Sequence, residues 1–167
     1  IGLLMLVVVR FGWAKPVPVN PRNFNNPKRD LVWVSLAGPV SNVITALVLG
    51  LVYRFAVMPF VGFDGTGEYI HRLFYLTVYI NLGICLFNMI PIPPLAGSNV
   101  LMGCLSFSQT QSYLRIMSRA PQVFLALILV EWMLKIPTIS LVLGPLFTPF
   151  VSFWLGVIFW GGQNPWM

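Results

Sequence analysis

Residue types able to hold a metal or move a proton are scarce in this chain and poorly grouped. There is one histidine, His71, alongside two cysteines, Cys85 and Cys104, and four acids. A thiolate zinc site calls for paired spacing such as Cys-x-x-Cys, which the sequence lacks. Both cysteines sit in apolar stretches and read as free thiols acting as small hydrophobes. His71 stands between Ile70 and Arg72 with no second histidine to share a ligand face, so it reads as a histidine satisfied at a membrane interface. Glu131 falls in an apolar run, where a carboxylate is a functional candidate by default. Lys135 follows it at i+4, the order that favours an ion pair on one helix face, with proton transfer as the alternative.

More is carried by Asn88-Met89-Ile90-Pro91-Ile92-Pro93-Pro94-Leu95-Ala96-Gly97, which closes an apolar segment. Its prolines cannot continue a helix and push the residues before them toward extended backbone. Two further blocks precede it: Gly12-Trp13-Ala14-Lys15-Pro16-Val17-Pro18-Val19-Asn20-Pro21 and Leu36-Ala37-Gly38-Pro39-Val40-Ser41-Asn42. In order and spacing, the three blocks resemble the site-2 protease family of intramembrane zinc metallopeptidases, in its compact branch without an inserted PDZ domain. The resemblance covers about residues 1–105.

That resemblance implies a helical membrane domain with zinc held inside the bundle. Two His and a Glu would come from a His-Glu-x-x-His helix, the Glu acting as general base toward a zinc-bound water. The Asp after Pro-Pro-Leu would be the third protein ligand. Here that position is Ala96, whose methyl group cannot bind a metal, and no His-Glu-x-x-His occurs in the sequence. In the family that motif precedes the Gly-Trp-Ala-Lys-Pro block, so the chain, which opens on Ile1, is expected to start partway through a longer architecture. The family's Leu-Asp-Gly is commonly followed by Ser-Arg, whereas Gly97 is followed by Ser98-Asn99. Asn88 or Asn99 could offer a carbonyl oxygen, but a neutral amide is a poorer zinc ligand than a carboxylate.

The expected site is therefore a scaffold without catalytic or metal residues: Asn42, Asn88, Pro91, Pro93, Pro94 and Gly97. Zinc belongs to the intact family and is not expected in this chain. The functional expectation is a metallopeptidase-like membrane domain, inactive as it stands. The alternative is a non-catalytic homologue that binds or sequesters membrane segments. A transporter is disfavoured because no pair of related halves is visible.

The elements that must carry this scaffold are legible from composition. Mean hydropathy is +0.83, with 57% hydrophobic and 8% charged residues, against roughly a quarter charged in soluble domains. Apolar runs long enough to cross about 30 Å of hydrocarbon recur along the chain. The fold class expected is all-α, a polytopic helical membrane protein of about four or five spanning or re-entrant segments in one domain over residues 1–167. Segments are expected at Leu31–Phe60, Leu73–Ile90, Gly97–Leu105, Pro121–Ile136 and Ile139–Trp160. Alternating prolines give residues 13–21 a short extended element. Val61–Arg72, with Asp64, Glu68 and three glycines, reads as a loop, and Ser106–Ala120 as a polar linker able to hold an interfacial helix. Pro39 frees a backbone carbonyl that Ser41 or Asn42 could satisfy, and Gly38, Ser41 and Ala46 are spaced for close helix contact.

The net charge of +6 gathers beside spans, with Lys15, Arg22, Lys28 and Arg29 in one loop and Arg115 and Arg119 in another. Placing these basic loops in the cytoplasm puts Asp64 and Glu68 outside. No cleavable signal peptide is expected, since Ile1–Val9 has no basic flank before its apolar run. The expected partners are the lipid bilayer and transmembrane or membrane-proximal peptide segments. Nucleic acid is excluded, because it calls for a basic face with exposed aromatics on a soluble fold.

Overall fold

The structure is a computed structural model that describes residues 24–62, 64–123, 126–127, 133 and 138–159. All regular structure among these residues is helical. Helix α1 spans Pro27–Val52 and runs on through one π-helical turn, Tyr53–Val57. Helix α2 spans Thr66–Asn88, α3 Ala96–Cys104, α4 Phe107–Ile116 and α5 Thr138–Phe159. A 3-10 turn, Met117–Arg119, extends α4. The proline ribbon expected at residues 13–21 lies outside the described residues, as do Glu131, Lys135 and most of Pro121–Ile136.

Local chemistry sets the ends. Asn26 caps α1, accepting from the Arg29 N–H at 3.4 Å, while the Asp30 carboxylate accepts the Asn26 N–H at 3.0 Å. Pro27 follows at the first helical position, where a missing N–H costs nothing. Ser106 and Gln109 close a reciprocal capping box on α4.

Pro27–Val57 and Thr66–Asn88 are long and apolar enough to cross a membrane, and Leu143–Phe159 is a shorter apolar helix. The 23 residues of α2 rise about 35 Å, a little more than the hydrocarbon thickness. Trp33, Ile44, Val48 and Leu51 on α1, Phe55 in the π-helical turn, and Leu73, Ile80 and Ile84 on α2 are exposed, as suits helices facing lipid.

Ala46 of α1, Val78 and Leu82 of α2, and Val151, Leu155 and Ile158 of α5 form the core. Gly50 lets Ile158 approach the α1 backbone, and a Cβ at Gly83 would stand 2.8 Å from the Phe147 ring.

Two local expectations are corrected. The buried stripe of α1 is Pro39, Ala46 and Gly50, whereas Gly38 and Ser41 are exposed and a Cβ on Gly38 would meet nothing within 4 Å. Steps of seven and eleven residues from Pro39 return close to one face, while Gly38 lies about 100° round the helix. Ser41 satisfies the Gly38 carbonyl, at 2.7 Å, rather than a group released by Pro39. The stretch read as a loop to Arg72 is helical from Thr66, because His71 buries itself in the first turns of α2.

Candidate functional site

The proline motif is a tight connection between α2 and α3. The Asn88 side chain donates back to the Ile84 carbonyl at 2.9 Å, closing the last turn of α2. Beyond it the chain turns on short backbone bonds, Ile92 N–H to Ile90 O at 2.8 Å and Leu95 N–H to Ile92 O at 2.9 Å. The Pro93–Pro94 peptide is cis; Pro91 and Pro94 are exposed and Pro93 half-buried. Extended backbone at Leu95 then admits the chain to α3, whose first residue is Ala96.

Gly97 explains the motif's final position. A Cβ there would run into the Met89 carbonyl and stand 2.7 Å from the Ile90 oxygen. The loop folds back onto the first turn of α3 only because this residue has no side chain. Buried Ser98 fastens the same corner, its hydroxyl donating to the Leu95 carbonyl at 2.7 Å.

Two longer bonds hold the corner in the bundle. Asn99 donates to the Ser35 hydroxyl at 2.9 Å, pinning α3 to α1. Tyr113 on α4 donates to the Pro91 carbonyl at 2.8 Å, and burial raises its phenol above the usual tyrosine range. Ser35 and Tyr113 escaped the sequence reading, since a serine in an apolar helix and a tyrosine in a polar linker carry no motif. Asn42 is half-buried on α1, seven residues past Ser35.

The donor set does not fit zinc. Ala96, half-buried where the motif's resemblance implies an Asp ligand, presents a methyl group. Asn88 and Asn99, whose NH2 groups bond to Ile84 and Ser35, have only a neutral amide oxygen each to offer, a poorer zinc ligand than a carboxylate. No group of three or more His, Cys, Asp or Glu able to hold a metal occurs among the described residues.

His71 is far from this corner along the chain and is occupied. Its Nε2 lies 3.2 and 3.1 Å from the Val61 and Gly62 carbonyls, which can only accept, so Nε2 carries the proton. Nδ1 then accepts from the Tyr53 hydroxyl at 3.1 Å when the ring is neutral. This is the satisfied histidine anticipated from sequence, and its side chain is fully buried. Cys85 is a buried free thiol, as expected; Cys104 is free but exposed, because it ends the short helix α3 on its outer side.

Comparison with known proteins is consistent with a metalloprotease-like reading of the chain. The chain is 38% identical over 104 residues to a protein of Bacillus subtilis (strain 168) named "Putative zinc metalloprotease YwhC". The match takes in 60% of this chain and 46% of that protein, so the chain spans about half the length of the curated relative it matches. No family model and no solved structure matches the chain.

Proposed function

We propose that this chain carries the second-motif half of a site-2-protease-type membrane metallopeptidase fold, with the third metal ligand lost at Ala96. One observation carries the reading. The corner that would present that ligand is intact, with Gly97 packed under Met89 and Ile90 and Asn99 tied to Ser35, yet the presenting residue is alanine. The similarity to a protein named as a zinc metalloprotease supports it. As it stands the chain binds no catalytic zinc and cleaves no peptide bond, since hydrolysis of this kind needs a metal-acidified water and a carboxylate base. The domain is multi-pass, with its basic loops in the cytoplasm.

The retained corner favours a second, non-catalytic use: binding or sequestering transmembrane or membrane-proximal peptide segments. Loss of a ligand without loss of the hydrogen bonds around it is what a binding scaffold would keep.

Restoring the ligand tests the first reading. In a parent chain with an intact His-Glu-x-x-His, Ala96→Asp raises both zinc content and cleavage. Equal zinc and equal activity in the two parents would show that position 96 is not the ligand position.

A further inference from the structure

A cavity of about 290 Å³ opens where the first turns of α1, the end of α3 and the start of α4 meet, lined by Lys28, Leu31, Asn99, Met102, Phe107 and Thr110. Its walls are mainly apolar, and Lys28 is the cation among these residues. Lys28 is the second residue of a helix long and apolar enough to cross a membrane, which would set the cavity at the level of the bilayer surface. Its ammonium donates to the Leu105 carbonyl at the end of α3, which leaves two of its three N–H groups free. The other polar groups are engaged: Asn99 donates to Ser35 and the Thr110 hydroxyl donates to the Ser106 carbonyl at 2.9 Å.

The surroundings select the sign and the phase of a ligand. Pro27–Asp30 and Leu105–Arg119 together carry Lys28, Arg29, Arg115 and Arg119 against the single acid Asp30. Phe107 and Leu114, 80% and 46% exposed and two helical turns apart, share one face of α4 beside those cations, the composition of a helix lying in a headgroup layer. The volume is near the lower end of small-ligand sites, about 300 Å³, which suits a length of acyl chain rather than a folded polypeptide element.

We infer that this cavity binds an anionic phospholipid, its phosphate held at Lys28 and one acyl chain laid along Leu31 and Met102. The site is independent of any peptidase reading, since it uses neither Ala96 nor the proline loop. It borders α3 through Asn99, so its occupancy bears on the same helix that Ala96 begins.

Native mass spectrometry of the full detergent-solubilised chain, offered equal phosphatidylglycerol and phosphatidylcholine, tests it. One phosphatidylglycerol is retained per chain in preference to phosphatidylcholine. Lys28→Met weakens that retention about fivefold, the effect of one basic residue beside an anionic surface. Lys28→Arg preserves it, and Arg72→Met, at the far end of α2, leaves it unchanged. Thr110→Trp, which fills the cavity with the charge intact, abolishes retention and carries the test should Lys28→Met fail to fold by circular dichroism. Equal retention of the two lipids, or retention unaffected by Thr110→Trp, overturns the inference. Displacement of the lipid by millimolar inorganic phosphate also overturns it, because the acyl chain would then contribute nothing.

Discussion

Tyr113 on α4 donates its phenolic hydrogen to the Pro91 carbonyl at 2.8 Å, so a helix from the polar linker braces the loop that precedes Ala96. A carbonyl between prolines has no helical partner, and this side chain supplies one. Tyr113→Phe should cost about 0.5–1.5 kcal/mol at neutral pH, read from denaturant melts in detergent. Burial raises the Tyr113 phenol, so its folded-state value lies above the unfolded value of about 10. The contribution is full below the unfolded value and is lost as pH rises through the folded one. The gap between the wild-type protein and Tyr113→Phe should therefore close in strong alkali, and a gap that stays constant there would contradict the assignment.

Two glycines separate backbone contact from mere composition. Gly97→Ala puts a methyl group into the Met89 and Ile90 carbonyls and should cost about 1–3 kcal/mol, as overpacking does. Gly38→Ala meets nothing within 4 Å and should be neutral or stabilising by up to about 1 kcal/mol. Similar thermal shifts for the two variants would mean that the loop does not pack on α3 as described.

Ser35 and Asn99 should be energetically coupled. A double-mutant cycle with Ser35→Ala and Asn99→Ala is expected to give about 0.5–1.5 kcal/mol, within the range of polar contacts between membrane helices. Strict additivity would remove the bond from the account.

His71→Phe leaves the Tyr53 hydroxyl and two loop carbonyls without their shared partner and should destabilise the protein by about 2–4 kcal/mol. Tyr53→Phe removes one of those bonds and should cost less. A zinc content altered by His71→Phe would mean that the histidine is a ligand and not a structural hub.

Much of the fold was legible because hydropathy and proline placement dominate so apolar a chain. Leu31–Phe60 anticipated the helix at Pro27–Val57, and the break after Asn88 followed from three prolines in four residues. The misses come from polar residues with buried partners. Thr66–Arg72 reads as a loop until His71 finds Tyr53 and the loop carbonyls, which no local pattern announces. Gly38 and Ser41 have the composition of a packing seam, yet helix phase turns Pro39 and Ala46 inward instead. At the site, the scaffold positions Asn88, Pro91 and Gly97 were readable from the motif. Their bracing by Ser35 and Tyr113 was not, because each contact joins residues far apart in the chain.

Lys28 joins the start of α1 to the end of α3 through the Leu105 carbonyl. A cation near a helix C-terminus is worth about 0.3–1 kcal/mol, so Lys28→Met should lower stability by that amount and Lys28→Arg should restore it. A loss far above this range would point to a buried role that the exposed side chain does not support.

The central claim is that Ala96 leaves an intact motif corner without a metal ligand, and zinc stoichiometry tests it most directly. Elemental analysis of the purified chain and of Ala96→Asp, run beside a peptide-cleavage assay, should find zinc well below one per chain and no cleavage in either protein. Ala96→Asp should melt lower, because it half-buries a carboxylate where no metal compensates it. One tightly held zinc per wild-type chain, lost to a chelator together with peptidase activity, would contradict the account.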